Sequence, residues 1–200
     1  MFVRGVKLLS SRSRSLGFNV RTKTTSAPFK TAKDGLDHAR SNPNPNLPVN
    51  FEDIVRAHHR IRSGIPRTDC KFSSALSEIC GCNVYLKCDL HLRTGSFKER
   101  GARNSLMALT PEAKKHGVIS ASAGNHAQAM AYHGGELGVP VTVVMPKNAP
   151  LTKIKNCRTL GADVILHGEH ILEAREYAYS EHPTLKYING YNDVEIVAGA

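Results

Sequence analysis

The stretch Val118-Ile119-Ser120-Ala121-Ser122-Ala123-Gly124-Asn125-His126-Ala127-Gln128-Ala129-Met130-Ala131-Tyr132 reads as a strand, a small-residue loop and a helix in immediate succession. Val118 and Ile119 are β-branched and apolar, as a short buried strand requires. An amphipathic run carrying Ala127, Met130 and Ala131 then starts near Asn125. A turn of this kind aims backbone N–H groups and the positive end of a helix dipole at an anion in front of it. Ser122 can donate to a carboxylate, and Asn125 to a ring hydroxyl or oxyanion. A plain Ser/Asn helix cap has the same composition. Spacing alone leaves both readings open.

Upstream lies Thr94-Gly95-Ser96-Phe97-Lys98-Glu99-Arg100-Gly101-Ala102, just past the short apolar strand Val84–Lys87. Lys98 therefore falls at a strand-to-helix turn. An amine attacks a carbonyl only when unprotonated, so an imine-forming lysine is partly desolvated or set near other cations. Apolar Phe97, and Arg100 in the first turn of the next helix, suit both conditions. Gly95 and Gly101 permit close backbone approach. The plainer reading is an ordinary solvated lysine at a helix start.

From Lys71 onward the pattern alternates. A helix is expected over about Phe72–Ile79 and another from the Lys98 turn to about Leu109. Thr110-Pro111-Glu112 opens a short helix with a cap, a first-position proline and an early acid. Strands at Val118–Ser120, Pro140–Met145, Asp163–Leu166 and Leu185–Ile188 then interleave with helices at His126–Leu137, Leu151–Leu160 and Ile171–Ser180. Short Val/Ile-rich strands between such helices predict an α/β fold with a parallel sheet and flanking helices. A ligand then belongs at the carboxyl ends of the strands, where Lys98 and Ser122–His126 fall. Before this region, Phe51, Ile54, Val55, His58 and Ile61 share one face of a predicted helix, with His58 packed and His59 solvated.

The blocks TGSFKERGA and SASAGNHAQ together resemble the fold-type-II pyridoxal-phosphate enzymes (tryptophan synthase β-like), and among them the threonine dehydratase (threonine ammonia-lyase) and serine dehydratase group. Further blocks fall in the family's order: Asn83-Val84-Tyr85-Leu86-Lys87, Met145-Pro146 with Ala149-Pro150 and Lys153, Gly161-Ala162 with Val164, Leu166 and Gly168, and Val197-Ala198-Gly199. The resemblance runs from about Phe51 to Ala200. It implies pyridoxal 5'-phosphate as cofactor, with Lys98 holding its aldehyde and later acting as a base. It implies that Asn125 bonds the ring hydroxyl and Phe97 packs beside the ring. The loop Ser122, Ala123, Gly124, Asn125 and His126 would grip the carboxylate of a small amino-acid substrate. The implied reaction is deaminating dehydration of L-threonine to 2-oxobutanoate and ammonia, and of L-serine to pyruvate, with the cofactor supplying the electron sink.

Serine racemases of the same fold tend to carry a second serine where this chain has Ala123. A methyl group delivers no proton, so the resemblance favours elimination over racemisation. Thr68-Asp69-Cys70 and Asp89-Leu90-His91-Leu92-Arg93 also depart from the family's usual Thr-Pro-Leu and Glu-x-x-Gln-x, which bears on substrate preference. The family's Gly-rich phosphate loop has no counterpart in these residues. The chain is therefore expected to be the front portion of an enzyme, incomplete at the C-terminus, with little activity in isolation. A catalytically inert truncated chain that binds a full-length partner is the non-enzyme alternative.

Composition agrees with an ordinary globular domain, at 40% hydrophobic residues. No apolar run approaches the roughly 18 residues needed to span a membrane. The formal net charge of +10 is concentrated at the front. Arg4, Lys7, Arg12, Arg14, Arg21, Lys23, Lys30 and Lys33 precede the first acid, and setting those eight aside leaves +2. That distribution excludes a nucleic-acid-binding face, and no zinc-finger or RNA-binding pattern is present. The acid-poor, Ser-rich tail reads equally as a mitochondrial transit peptide or as a solvated N-terminus, so the expected location is intracellular, cytoplasmic or mitochondrial. Ser41-Asn42-Pro43-Asn44-Pro45-Asn46-Leu47-Pro48 is an extended linker. The expected organisation is a tail and linker over 1–48 and a partial catalytic domain over 49–200, with a small domain at about 110–190 and the front of a large one. Cys70, Cys80, Cys82, Cys88 and Cys157 show no CxxC spacing and read as reduced thiols, with no metal site. Self-association into a homo-oligomer is in keeping with the resemblance.

Overall fold

The computed structural model describes residues 48–200; the basic tail and most of the Pro/Asn linker lie outside the described residues. Helix α1 (Phe51–Ile61) starts with a reciprocal cap, in which Asn50 Oδ1 accepts from the Asp53 N–H at 3.0 Å and Asp53 Oδ2 accepts from the Asn50 N–H at 2.9 Å. Its buried positions are Ala57 and Ile61, whereas Phe51, Ile54, Val55 and His58 are exposed. Of the five residues expected on the packed face, Ile61 is buried and the other four face outward. Arg60 Nη1 donates to Asn104 Oδ1 at 2.6 Å and to Glu195 Oε2 at 2.9 Å, which turns the Ala57–Ile61 side of α1 inward.

Next comes a small antiparallel pair, β1 (Cys70–Phe72) and β2 (Tyr85–Lys87), in the register Cys70↔Lys87, with α2 (Ser74–Cys80) between them. Phe72 belongs to β1 rather than to a helix. Ser73 ends the strand and caps α2 by accepting from the Leu76 N–H, and Gly81 closes α2 at φ 68°. A side chain at that φ is strained, which makes glycine the natural stop. All six residues of β1 and β2 are exposed, and Phe72 meets Tyr85 edge-on at 5.5 Å.

A 3₁₀ turn (Asp89–His91) leads into α3 (Lys98–Met107) and α4 (Pro111–His116), the latter capped by Thr110 as its sequence predicts. The chain then alternates β3 (Val118–Ala121), α5 (Asn125–Leu137), β4 (Val141–Met145), α6 (Leu151–Thr159), β5 (Asp163–Leu166), α7 (Ile171–Glu181), β6 (Lys186–Tyr187) and α8 (Val194–Gly199). The four later strands form one parallel sheet in the order β5-β4-β3-β6. Val118 pairs with both Val141 and Lys186, so β3 is central and every residue in it is buried. Ala174 and Ala178 of α7 cover one face over Ile119 and Val144. Leu106, Met130, Val143, Met145 and Ile188 meet on the other, beneath α3, α5 and α6. A strand buried on both faces is mostly apolar, as β3 and β4 are; buried Ser120 in β3 is satisfied by donating to the Ile188 carbonyl at 2.8 Å.

Candidate active site

Two turns meet at the carboxyl end of β3. The first is the loop from β3 into α5. Gly124 occupies the cap position, and no side chain caps the first amides of α5. Ser122 Oγ accepts from the Gly124 N–H at 3.3 Å, so the serine shapes the loop rather than the helix end. The first-turn N–H groups are thereby left for an anion.

The second turn brings Lys98, the first residue of α3. Its Nζ donates to the Gly190 carbonyl at 2.5 Å and lies 5.2 Å from the Phe97 ring centroid and 5.6 Å from that of Tyr191. Lys98, Ser122, Asn125, His126 and Tyr191 border one cavity of about 400 Å³, together with Phe97, Ala123 and Gly124. Every residue expected at the site is therefore gathered around a single space. Gly190 and Tyr191 were not legible beforehand; they sit in the loop after β6, which a parallel sheet also delivers to its carboxyl end.

The Asn125 amide is oriented by its neighbours. Its Oδ1 accepts from Lys153 Nζ at 3.2 Å and from Gln128 Nε2 at 3.5 Å, and Gln128 Oε1 accepts from Asn156 Nδ2 at 3.1 Å. Lysine can only donate, which assigns the contacted atom as oxygen and leaves the Asn125 NH₂ as the remaining donor. His126 is buried against Gly190, and neither of its ring nitrogens makes a well-aligned hydrogen bond, the Ile188 backbone being a nearby polar group. Burial first, then the charge of Lys98, push its pKa down to about 4, so the ring is neutral at physiological pH.

Arg100 does not serve as a free cation beside Lys98. Its guanidinium grips Asp89 through two bonds, Nε to Oδ2 at 2.8 Å and Nη2 to Oδ1 at 2.9 Å. Thr68 Oγ1 adds a third at 2.5 Å. The Arg100 bonds hold the Asp89 carboxyl down at about 2 against the opposing effect of burial. The fork ties the start of α3 to the turn after β2, and so fixes where Lys98 emerges.

Residues 61–200 match the family described as pyridoxal-phosphate dependent enzyme. The chain belongs to this family. It is 43% identical over 153 residues to an L-threonine ammonia-lyase of Thermotoga maritima, a match covering 76% of this chain and 38% of that protein. Among solved structures it is similar to the processed form of threonine deaminase isoform 2 from Solanum lycopersicum, at 35% identity and a TM-score of 0.65, covering 76% of this chain and 44% of that one. It is also similar to serine racemase from Dictyostelium discoideum, at 32% identity and a TM-score of 0.70, covering 76% and 50%. The chain spans about half the length, or less, of the relatives it matches.

The residues around the cavity suit one end of pyridoxal phosphate. An amine is present for an aldehyde, an amide donor for a ring oxygen, and uncapped helix amides for a carboxylate. The glycines that border the cavity are Gly124 and Gly190, which do not form a phosphate-binding run. A partner for the cofactor aldehyde is thus present, whereas among the described residues no glycine run for its phosphate borders the cavity. Among them there is also no cluster of three or more metal-ligating side chains, and no helix long and apolar enough to cross a membrane. All five cysteines are unpaired, and burial pushes the Cys157 thiol up to about 11.

Proposed function

We propose that this chain carries the lysine turn and the carboxylate loop of a pyridoxal-phosphate-dependent threonine/serine dehydratase. One observation supports the reading above all: the Lys98 amine and the open N-terminus of α5 share one cavity. Lys98 would hold the cofactor aldehyde, and the Asn125 NH₂ would donate to the ring oxygen. When bound, the cofactor supplies a ring that delocalises the electrons left when a proton departs from the amino acid's α-carbon.

The remaining roles fall to this chain's own residues. The α5 amides and Ser122 would anchor the substrate carboxylate and fix which bond faces Lys98. The released Lys98 amine, close to Gly190 and between two aromatic rings, would take the α-proton. Loss of the β-hydroxyl as water, followed by hydrolysis, yields ammonia with 2-oxobutanoate from L-threonine or pyruvate from L-serine. Ala123 supports elimination over racemisation, because a methyl group returns no proton to the substrate's other face. Product analysis on L-serine with the cofactor added tests this: pyruvate and ammonia in equal amounts are expected. D-serine formed in excess of pyruvate contradicts it.

A further inference from the structure

A buried ionic cluster lies directly behind the lysine turn, and the proposed reaction leaves it unused. Glu99, the residue after Lys98, is 1% exposed, and His133 of α5 is fully buried. One oxygen of the Glu99 carboxylate accepts the Thr94 N–H, and the other lies 3.3 Å from His133 Nε2, off the line of an ideal hydrogen bond. On the far side of the ring, Arg103 Nη1 lies 3.3 Å from His133 Nδ1. A guanidinium only donates, so Nδ1 is the acceptor and the ring proton sits on Nε2, facing Glu99. The cluster is thus directional. It runs from Arg103 through the His133 ring to the carboxylate, which also receives the Thr94 N–H.

A buried carboxylate is costly unless paired and hydrogen-bonded, so a merely structural helix position would take an apolar residue more cheaply. Here the carboxylate sits in the first turn of α3, where the helix dipole favours it, and it holds a backbone amide four residues ahead of Lys98. Thr94 opens the loop that presents Ser96, Phe97 and Lys98. His133 lies on the helix whose first turn carries Asn125 and His126. The same carboxylate therefore clamps the lysine loop and ties it to the helix bearing the opposite side of the cavity.

We propose that Glu99, acting through Thr94 and His133, is a positioning residue that sets the Lys98 amine for attack on the cofactor aldehyde. The inference rests on the reading of Lys98 given above. The test treats the full chain briefly with pyridoxal phosphate, reduces with borohydride, and measures the label on Lys98 relative to exposed Lys115 in the same molecules by peptide mass spectrometry. In the parent the ratio should be high. In Glu99→Ala it should fall, by up to about a hundredfold for a 1 Å misplacement of the reacting amine. Glu99→Gln keeps an oxygen for the Thr94 amide and should recover most of the ratio. Loosening of the whole fold would raise labelling at all lysines, so a selective fall at Lys98 is not a general stability effect. If Glu99→Ala does not fold, His133→Phe carries the test, because a similar ring without the donor should still lower the ratio. A high parent ratio unchanged by these substitutions overturns the role of Glu99 alone. A parent ratio near that of Lys115 overturns the reading of Lys98 and this inference with it.

Discussion

His126 shows most plainly what a single residue does here. Its ring is buried beside Lys98 with neither nitrogen in a well-aligned hydrogen bond, and burial chiefly pushes its pKa from 6.5 to about 4. The folded state therefore holds a neutral ring where the unfolded chain takes up a proton. The His126 contribution to stability is complete above pH 6.5 and is lost as the pH falls toward 4, by about 2–3 kcal/mol. Urea unfolding followed between pH 7 and 4 should show that slope, and His126→Gln should flatten it. An equal slope in both proteins would contradict the assignment. Residue identity made Lys98 and the Ser122–His126 loop legible, because an amine and a small-residue turn are visible in one dimension. Glu99 and His133 were not legible, since each looks like an ordinary helix-surface residue until α3 and α5 are packed together. Arg100 misled for the same reason: its partner Asp89 becomes visible only once the turn after β2 is in place.

Among the elements, α3 and α8 pack backbone against backbone. A Cβ added at Gly101 would sit 2.5 Å from the Ile196 carbonyl oxygen, and one added at Gly199 would sit 3.0 Å from Gly101 Cα. The two backbones touch because neither carries a side chain there. Asn104 Nδ2 reinforces the contact by donating to the Glu195 carbonyl at 2.7 Å and to Glu195 Oε2 at 2.9 Å. In an isolated helix, Gly101→Ala would add about 1 kcal/mol through propensity. Overpacking costs about 1–3 kcal/mol and should prevail. A lowered urea midpoint for Gly101→Ala is the expected result; an unchanged or raised one would show that α8 yields freely. The strands and helices from Thr110 onward were legible because β-branched runs alternate with amphipathic stretches. β1 was missed because three residues carry no alternation. The outward turn of Phe51, Ile54, Val55 and His58 was missed because the Arg60 bonds to Asn104 and Glu195 rotate α1 onto Ala57 and Ile61.

At the scale of the whole molecule, the parallel sheet explains why the site lies where it does. Loops leaving β3 and β6 deliver the α5 amides and Gly190 to one end of the sheet, and the Asp89–Arg100 fork holds the Lys98 turn opposite them. Fold class and site location follow from the βα rhythm together with two sequence blocks. The exposure of Phe51, Phe72, Ile79 and Tyr85 does not follow from any local pattern. The central claim is that Lys98 captures pyridoxal phosphate in this chain. A visible absorption spectrum of the purified chain with the cofactor, beside Lys98→Ala, tests it most directly. The account predicts a protein-bound band in the parent that the variant lacks. Identical spectra from the two would contradict it.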